Sequence, residues 1–215
     1  AIESEKRKYI IVVAQEDGSI EDPKPEDLYA YGTLATVLKV FAMPDNSKSA
    51  IVQGISRVKI LDYIEKEPYF KAAVSTISDD PIGDELELVG ISDNLRKSFS
   101  DLIKVAPNLT EEHTGMLSNI QKPNRLVDRA ISLMTLPNQE KQDILEETNV
   151  KKRIEKAISI INREIQRIKL GDEIQTEVHD EIAKTQREYY LREQMKAIQK
   201  ELGEDEGTVE LKELE

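Results

Sequence analysis

Apolar positions repeat with two different periods along this chain, and the change falls near Pro81. Before it, short β-rich runs alternate with turn signals. Tyr9 to Ala14 ("YIIVVA") is continuous and β-branched and stops at Asp17-Gly18, a turn dipeptide. "EDPKPEDL", with two prolines and four acids, reads as a connecting loop. Thr33 to Met43 is β-rich and closes at Pro44-Asp45-Asn46-Ser47. Ala50 to Gln53 predicts another strand, and Gly54 marks a bulge or a close backbone approach. Arg57 to Ile60 alternates polar and apolar, the period of a half-buried strand. Tyr69 to Ile77 forms the last run and ends at "SDDP". Strands so spaced, with no helix between them, predict an antiparallel sheet, a sandwich or a small barrel.

After Pro81 the spacing becomes helical. Leu88, Ile91, Leu95, Phe99 and Leu102 fall three and four apart, on one helix face. Thr110 is placed to N-cap a short helix reaching about Ile120, and Pro123 sits in the first turn of the next, through Met134. Pro137 interrupts, and Gln139 to Glu147 predicts a further helix. Together these short pieces predict a small helical bundle. From Asn149 onward there is no proline. Ile154, Ile158, Ile161, Ile165 and Ile168 keep the 4-3-4-3 rhythm of a coiled-coil seam. The rhythm slackens at Gly171-Asp172, resumes through Ile174, Val178 and Ile182, and resumes shifted in phase through Leu191, Met195, Ile198 and Leu202. Glycine inside a helix costs about 1 kcal/mol relative to alanine, too little to stop so long a pattern. One helix from Val150 to Leu202 is therefore expected, about 80 Å long, with Gly203 as its terminator. Asp180 with Lys184 and Glu188 with Arg192 are acid-before-base pairs at i,i+4. A helix of that length cannot bury itself on so small a domain; part of it has to project or meet another chain.

Composition narrows the function classes. Of the 215 residues 39% are hydrophobic and 33% charged, too apolar for full disorder and more charged than an average globular domain. Formal net charge is −12, which opposes phosphate backbones and anionic membrane surfaces. The chain has no cysteine, which removes disulfides, thiolate metal sites and cysteine catalysis. No run of 18 apolar residues is present, and "AIESEKRKYI" is not a signal peptide; the chain reads as beginning in mid-domain.

No catalytic constellation stands out. None of the nine glycines opens a phosphate-binding G-x-x-x-x-G-K-[ST] string, and there is no G-x-S-x-G. His113 and His179 lie in different segments without partners at ligand spacing; both read as ordinary helix residues. Carboxylates are too numerous for any pair to be singled out for acid–base work. Tyr189 and Tyr190 are adjacent, so their side chains point about 100° apart on a helix, and one of them is expected to pack while the other faces outward.

The segment carrying those tyrosines, "KTQREYYLREQMKAIQKELGE" (Lys184 to Glu204), closely resembles the stretch that joins the N-terminal region to the ATPase module in Lon proteases. "NVKKRIEKAISII", "LPNQEKQDILEE", "EDPKPEDLYAYGTLATVLKVFAMPD" and "IVQGISRVKIL" are similar to successive parts of that N-terminal region, including a Gly-Thr before a strand and an xGxxRxxI strand. The resemblance implies an α+β fold: a PUA-like antiparallel β-domain over 1–79, a helical bundle over 80–148, a long projecting, coiled-coil-like helix over 149–203 and an acidic tail over 204–215. The β-domain is expected to lack its first strand. The Walker motifs and the Ser–Lys dyad of the family are absent from the sequence, so no catalytic, cofactor-binding or metal-ligating residue carries over, and this segment is expected not to be an enzyme. ATP and magnesium belong to the ATPase domain of the parent.

The resemblance further implies capture of unfolded, damaged or tagged proteins for an ATP-dependent serine protease. The implied assembly is a homohexamer in the bacterial cytoplasm, ahead of the mitochondrial matrix as a setting. Membrane and nucleic acid are not expected partners of this region. Candidate contacts to substrate or partner are Phe41, Met43, Tyr189, Tyr190 and Met195. The alternative from another class is a stand-alone coiled-coil scaffold or peptide-binding module without a link to proteolysis.

Overall fold

The computed structural model describes residues 9–44, 47–81 and 83–202. The expected terminator Gly203, the acidic tail, the first eight residues and Asp45-Asn46 of the predicted turn lie outside them. The elements divide into strands first and helices second, as the change of period requires. The strands are β1 (Tyr9–Val12), β2 (Tyr31–Ala42), β3 (Lys48–Glu65) and β4 (Lys71–Ile77). They form one antiparallel sheet in the order β1-β2-β3-β4. The helices are α1 (Glu85–Ile103), α2 (Glu111–Ser118), α3 (Pro123–Ser132), α4 (Asn138–Glu146) and α5 (Val150–Glu201). The fold class is α+β. By contacts the chain separates into two compact units, Ala1–Arg163 and Glu164–Glu215.

The two strands expected on either side of Gly54 are one strand, β3. Leu34 pairs with Ser56 and Ala35 with Gly54, so Ile55 is the extra residue of a β-bulge. A bulge absorbs one residue and bends the strand without ending it. Gly32 answers a close approach: a Cβ there would lie 2.6 Å from the Val12 carbonyl oxygen.

Helix boundaries follow from local chemistry. Asp84 caps α1, its Oδ1 accepting from the backbone N–H of Leu86 at 2.9 Å. Thr110 closes a capping box at α2 with His113, whose Nδ1 accepts from the Thr110 N–H at 3.0 Å. Asn149 starts α5, its Oδ1 accepting from the Lys152 N–H at 3.0 Å. α5 then runs through Gly171 without interruption.

The core of the first unit lies among the helices. Leu95, Phe99, Leu102, Leu126, Val127 and Ile154 are fully buried. Burying each such side chain contributes about 1.5–3 kcal/mol. The sheet is different: among its strand residues only Gly32, Ala35 and Val58 are buried. In the second unit every described residue from Lys169 to Leu202 is exposed, the stripe of Ile174, Val178 and Ile182 included. Its side-chain ion pairs include Glu164–Arg167 and Glu193–Lys196 at i,i+3, and His179 lies 3.9 Å from Asp180; the pairs expected at Asp180–Lys184 and Glu188–Arg192 do not form among the described residues. Exposed pairs of this kind hold side chains too weakly for the sequence to decide which will form.

Candidate functional site

The sheet register lines up Val12, Thr33, Arg57 and Ile77 across all four strands. Cross-strand partners share a face. All four border a cleft of about 740 Å³ within the first unit, whose other walls come from α3 and α4. The bulge lets Ile55, Ser56 and Arg57 all contribute to the same wall. Two hydrogen bonds dock α4 against the chain at the start of β2: the Tyr29 hydroxyl donates to Gln139 Oε1 at 2.8 Å, and Gln142 Nε2 donates to the Tyr31 carbonyl at 3.2 Å.

One border of the cleft is a knot of two arginines and two aspartates. Arg57 Nη2 donates to Asp128 Oδ1 at 2.7 Å, and its Nη1 donates to the Glu147 carbonyl at 3.1 Å and lies 3.4 Å from Asp79. Arg153, whose side chain is fully buried, donates through Nε to the Glu147 carbonyl at 2.9 Å and through Nη1 to Asp128 at 3.2 Å. Its Nη2 pairs with Asp79. Asn124 Nδ2 holds the other oxygen of Asp79 at 2.8 Å. The planar guanidinium fork suits two arginines to share these acceptors. The knot fastens β3, the loop after β4, α3 and the first turn of α5 together. Burial pushes the Asp128 carboxyl above the usual carboxylate range, against the pull of Arg57. Beside the knot, Lys156 lies 2.9 Å from Glu147 and holds that carboxyl below its ordinary range, helped by the N–H of Asn149.

The sequence-predicted contact residues are all exposed. Phe41 and Met43, at the far end of β2, are 38% and 43% exposed, with Lys39 Nζ 4.9 Å from the Phe41 ring centre. Tyr189, Tyr190 and Met195 belong to the second unit and are 62–67% exposed. Among the described residues neither tyrosine is covered, where one of the two was expected to pack; Tyr190 accepts a hydrogen bond from Gln194 at 3.0 Å. Leu38, Ile51, Leu61 and Ile64 are likewise exposed on the sheet. Among the described residues no group of three or more His, Cys, Asp or Glu could hold a metal ion, and no helix is long and apolar enough to cross a membrane.

The family model of the ATP-dependent protease La (LON) substrate-binding domain matches residues 1–163, the same span as the first compact unit. The chain belongs to this Lon family. Lon protease of Koribacter versatilis is 40% identical over 209 residues, covering 96% of this chain and 26% of that protein. Lon protease of Dictyoglomus thermophilum is 39% identical over 206 residues, with 95% and 26% covered. The chain thus spans about a quarter of the length of the curated relatives it matches. The N-terminal domain of Mycobacterium avium complex Lon protease shares the fold at a TM-score of 0.53 and 18% identity, over 73% of this chain and 90% of that one.

In this Lon region the xGxxRxxI strand carries Arg57, so one member of the knot stood in a recognisable pattern. Asp79 and Asp128 did not, and Arg153, though inside the recognised stretch "NVKKRIEKAISII", was not singled out within it. Arg153 sits in the basic run "KKRIEK", which looks like a solvated helix face, and Asp79 in "SDDP", which looks like a break. The available signal was positional. Val150, Arg153, Ile154, Ala157 and Ile161 form the buried stripe of α5, and Arg153 falls on its helical period.

Proposed function

We propose that this chain is the substrate-capturing region of an ATP-dependent Lon protease, holding unfolded, damaged or tagged proteins and passing them to an ATPase pore for degradation. The observation that supports it is the apolar side chains left open at two places on the sheet, Leu38, Phe41, Met43 and Ile51 toward the β2–β3 turn and Leu61 and Ile64 near the other end of β3. Such exposed apolar side chains suit contact with a partner, and methionine and aromatic side chains suit partners of varied sequence. In the parent protein the serine protease and the ATP- and magnesium-binding ATPase lie in other domains. Six subunits in a homohexameric ring would raise the effective concentration of each further contact, so weak single sites suffice. The setting is the cytoplasm of a bacterium, as the relatives' organisms suggest.

The test is binding of the whole chain to one protein in native form and in reduced, carboxymethylated, permanently unfolded form. Capture requires at least about tenfold tighter binding of the unfolded form, about 1.4 kcal/mol; equal affinity for both contradicts it.

A second reading has its own observation. Ile174, Val178, Ile182, Leu191, Met195, Ile198 and Leu202 form an exposed apolar series in the second unit, as a coiled-coil scaffold would need. On that reading the chain sediments as a tight oligomer and shows no preference for unfolded protein.

A further inference from the structure

We propose that the cleft between the sheet and α3–α4 binds the C-terminal end of a polypeptide, its terminal carboxylate held by Arg125 and Lys141 and its last side chains by the apolar walls. The proposal rests on the capture reading and names one substrate feature that it would use.

The walls are mostly apolar: Ile55 and Ile77 from the sheet side, Ile131 from α3 and Leu145 from α4. The volume, about 740 Å³, is that of a ligand pocket holding a few residues, not of a surface for a long segment. The charges set the kind of ligand. Three cations and two carboxylates, Asp79 and Asp128, border the cleft of a chain whose formal net charge is −12. Both carboxylates are engaged by Arg57 and Arg153. Arg125 and Lys141 are not engaged in return. Among the described residues neither side chain forms an ion pair or hydrogen bond; Arg125 acts on Asp128 only through its field. Lys141 is half-buried and Arg125 exposed, so both cations are open to a ligand entering the cleft. The two cations come from facing elements, Arg125 from α3 and Lys141 from α4.

What fits is an anion attached directly to apolar side chains. A chain terminus provides this on one carbon: the last α-carbon bears both the carboxylate and a side chain. Capture of a terminal carboxylate is a known mode of peptide recognition. An internal acid brings its charge on a flexible stem and continues the backbone on both sides of it, which a pocket of a few residues does not accommodate.

The experiment uses the whole chain and a short fluorescent peptide ending in two leucines. The peptide is prepared as the free acid, as the C-terminal amide, and as an amide carrying an internal aspartate. Binding is read by anisotropy. The acid is expected to bind about tenfold or more tighter than either amide, as charge-assisted hydrogen bonds warrant. Arg125→Gln with Lys141→Gln is expected to erase that preference while leaving the melting temperature unchanged, since both lie outside the knot. Ile55→Asp is expected to weaken all three peptides. Equal binding of acid and amide, failure of the acid to bind, or a preference that survives the double substitution would each overturn the proposal. The permanently unfolded protein serves as the control for capture. If it binds while the acid and amide peptides do not differ, only the C-terminal assignment fails; if it does not bind at all, the capture reading fails.

Discussion

Arg57 on β3 and Arg153 on α5 donate to the same oxygen, Oδ1 of Asp128, at 2.7 and 3.2 Å. Through that shared acceptor the sheet and the first turn of the long helix are tied by side chains distant in sequence. Arg153 is fully buried and Arg57 nearly so, and both are engaged by carboxylates, so the tie is structural.

Removing one partner of a buried charge cluster leaves the others desolvated and unpaired. Arg153→Met is expected to cost about 3 kcal/mol, because Asp79 and Asp128 then face each other with only Arg57 between them. Arg167→Met, on an exposed pair with Glu164, is expected to change stability by no more than about 0.5 kcal/mol. Urea denaturation of the two variants checks the contrast.

Acid sensitivity follows from Glu147. Lys156 and the Asn149 N–H lower its carboxyl pKa in the folded chain. The stability this contributes is present above the ordinary carboxylate pKa and is lost as pH falls through the lower folded value. Asp128 has the opposite sign: burial raises its pKa, so its term favours the folded state below the ordinary value and fades as pH rises through the raised one. Glu147→Gln is expected to flatten the loss of stability on acidification below about pH 5. A series of urea midpoints between neutral and acid pH, compared with the parent chain, reads this directly.

Two glycines are expected to respond in opposite ways to alanine. At Gly32 the new Cβ would meet the Val12 carbonyl oxygen, and the substitution is expected to destabilise by about 1–3 kcal/mol. At Gly171 nothing lies within 4 Å of the new Cβ, and the helix is expected to gain about 1 kcal/mol. Thermal melts for the first, and helical content with hydrogen exchange near residue 171 for the second, separate the two.

These residues also show where sequence reading reaches and where it stops. The strand-to-helix order, the Thr110 cap, Pro123 at the head of α3 and the uninterrupted α5 were legible, because each depends on period or on local backbone chemistry. The bulge at Ile55 was legible only as a mark at Gly54, since the residue that is extra depends on its partner strand. Arg153 was not legible. An apolar count along α5 selects Ile158, which is half-buried, and passes over Arg153, which is fully buried among the Glu147 carbonyl and two acceptors distant in sequence, Asp79 and Asp128. The cleft was illegible for the same reason: its walls come from the sheet, α3 and α4, and the patterns on them, such as that of Gly54 and Arg57, do not say which elements meet.

The contact residues separate by unit. If substrate is held by the sheet, Tyr189→Ser with Tyr190→Ser in the second unit is expected to leave affinity for an unfolded protein within about twofold, since exposed side chains outside an interface contribute little. A loss of self-association in sedimentation with the same variant would assign the tyrosines to contact between copies.

The central claim, that exposed apolar side chains of the sheet capture unfolded chains, meets its most direct test in one titration. A fluorescent, permanently unfolded protein is titrated with the parent chain and with Phe41→Ser/Met43→Ser. Both residues are already exposed, so the melting temperature should hold while affinity falls by about tenfold, the usual scale for losing a pair of apolar anchors. Unchanged affinity in a folded variant would contradict the account.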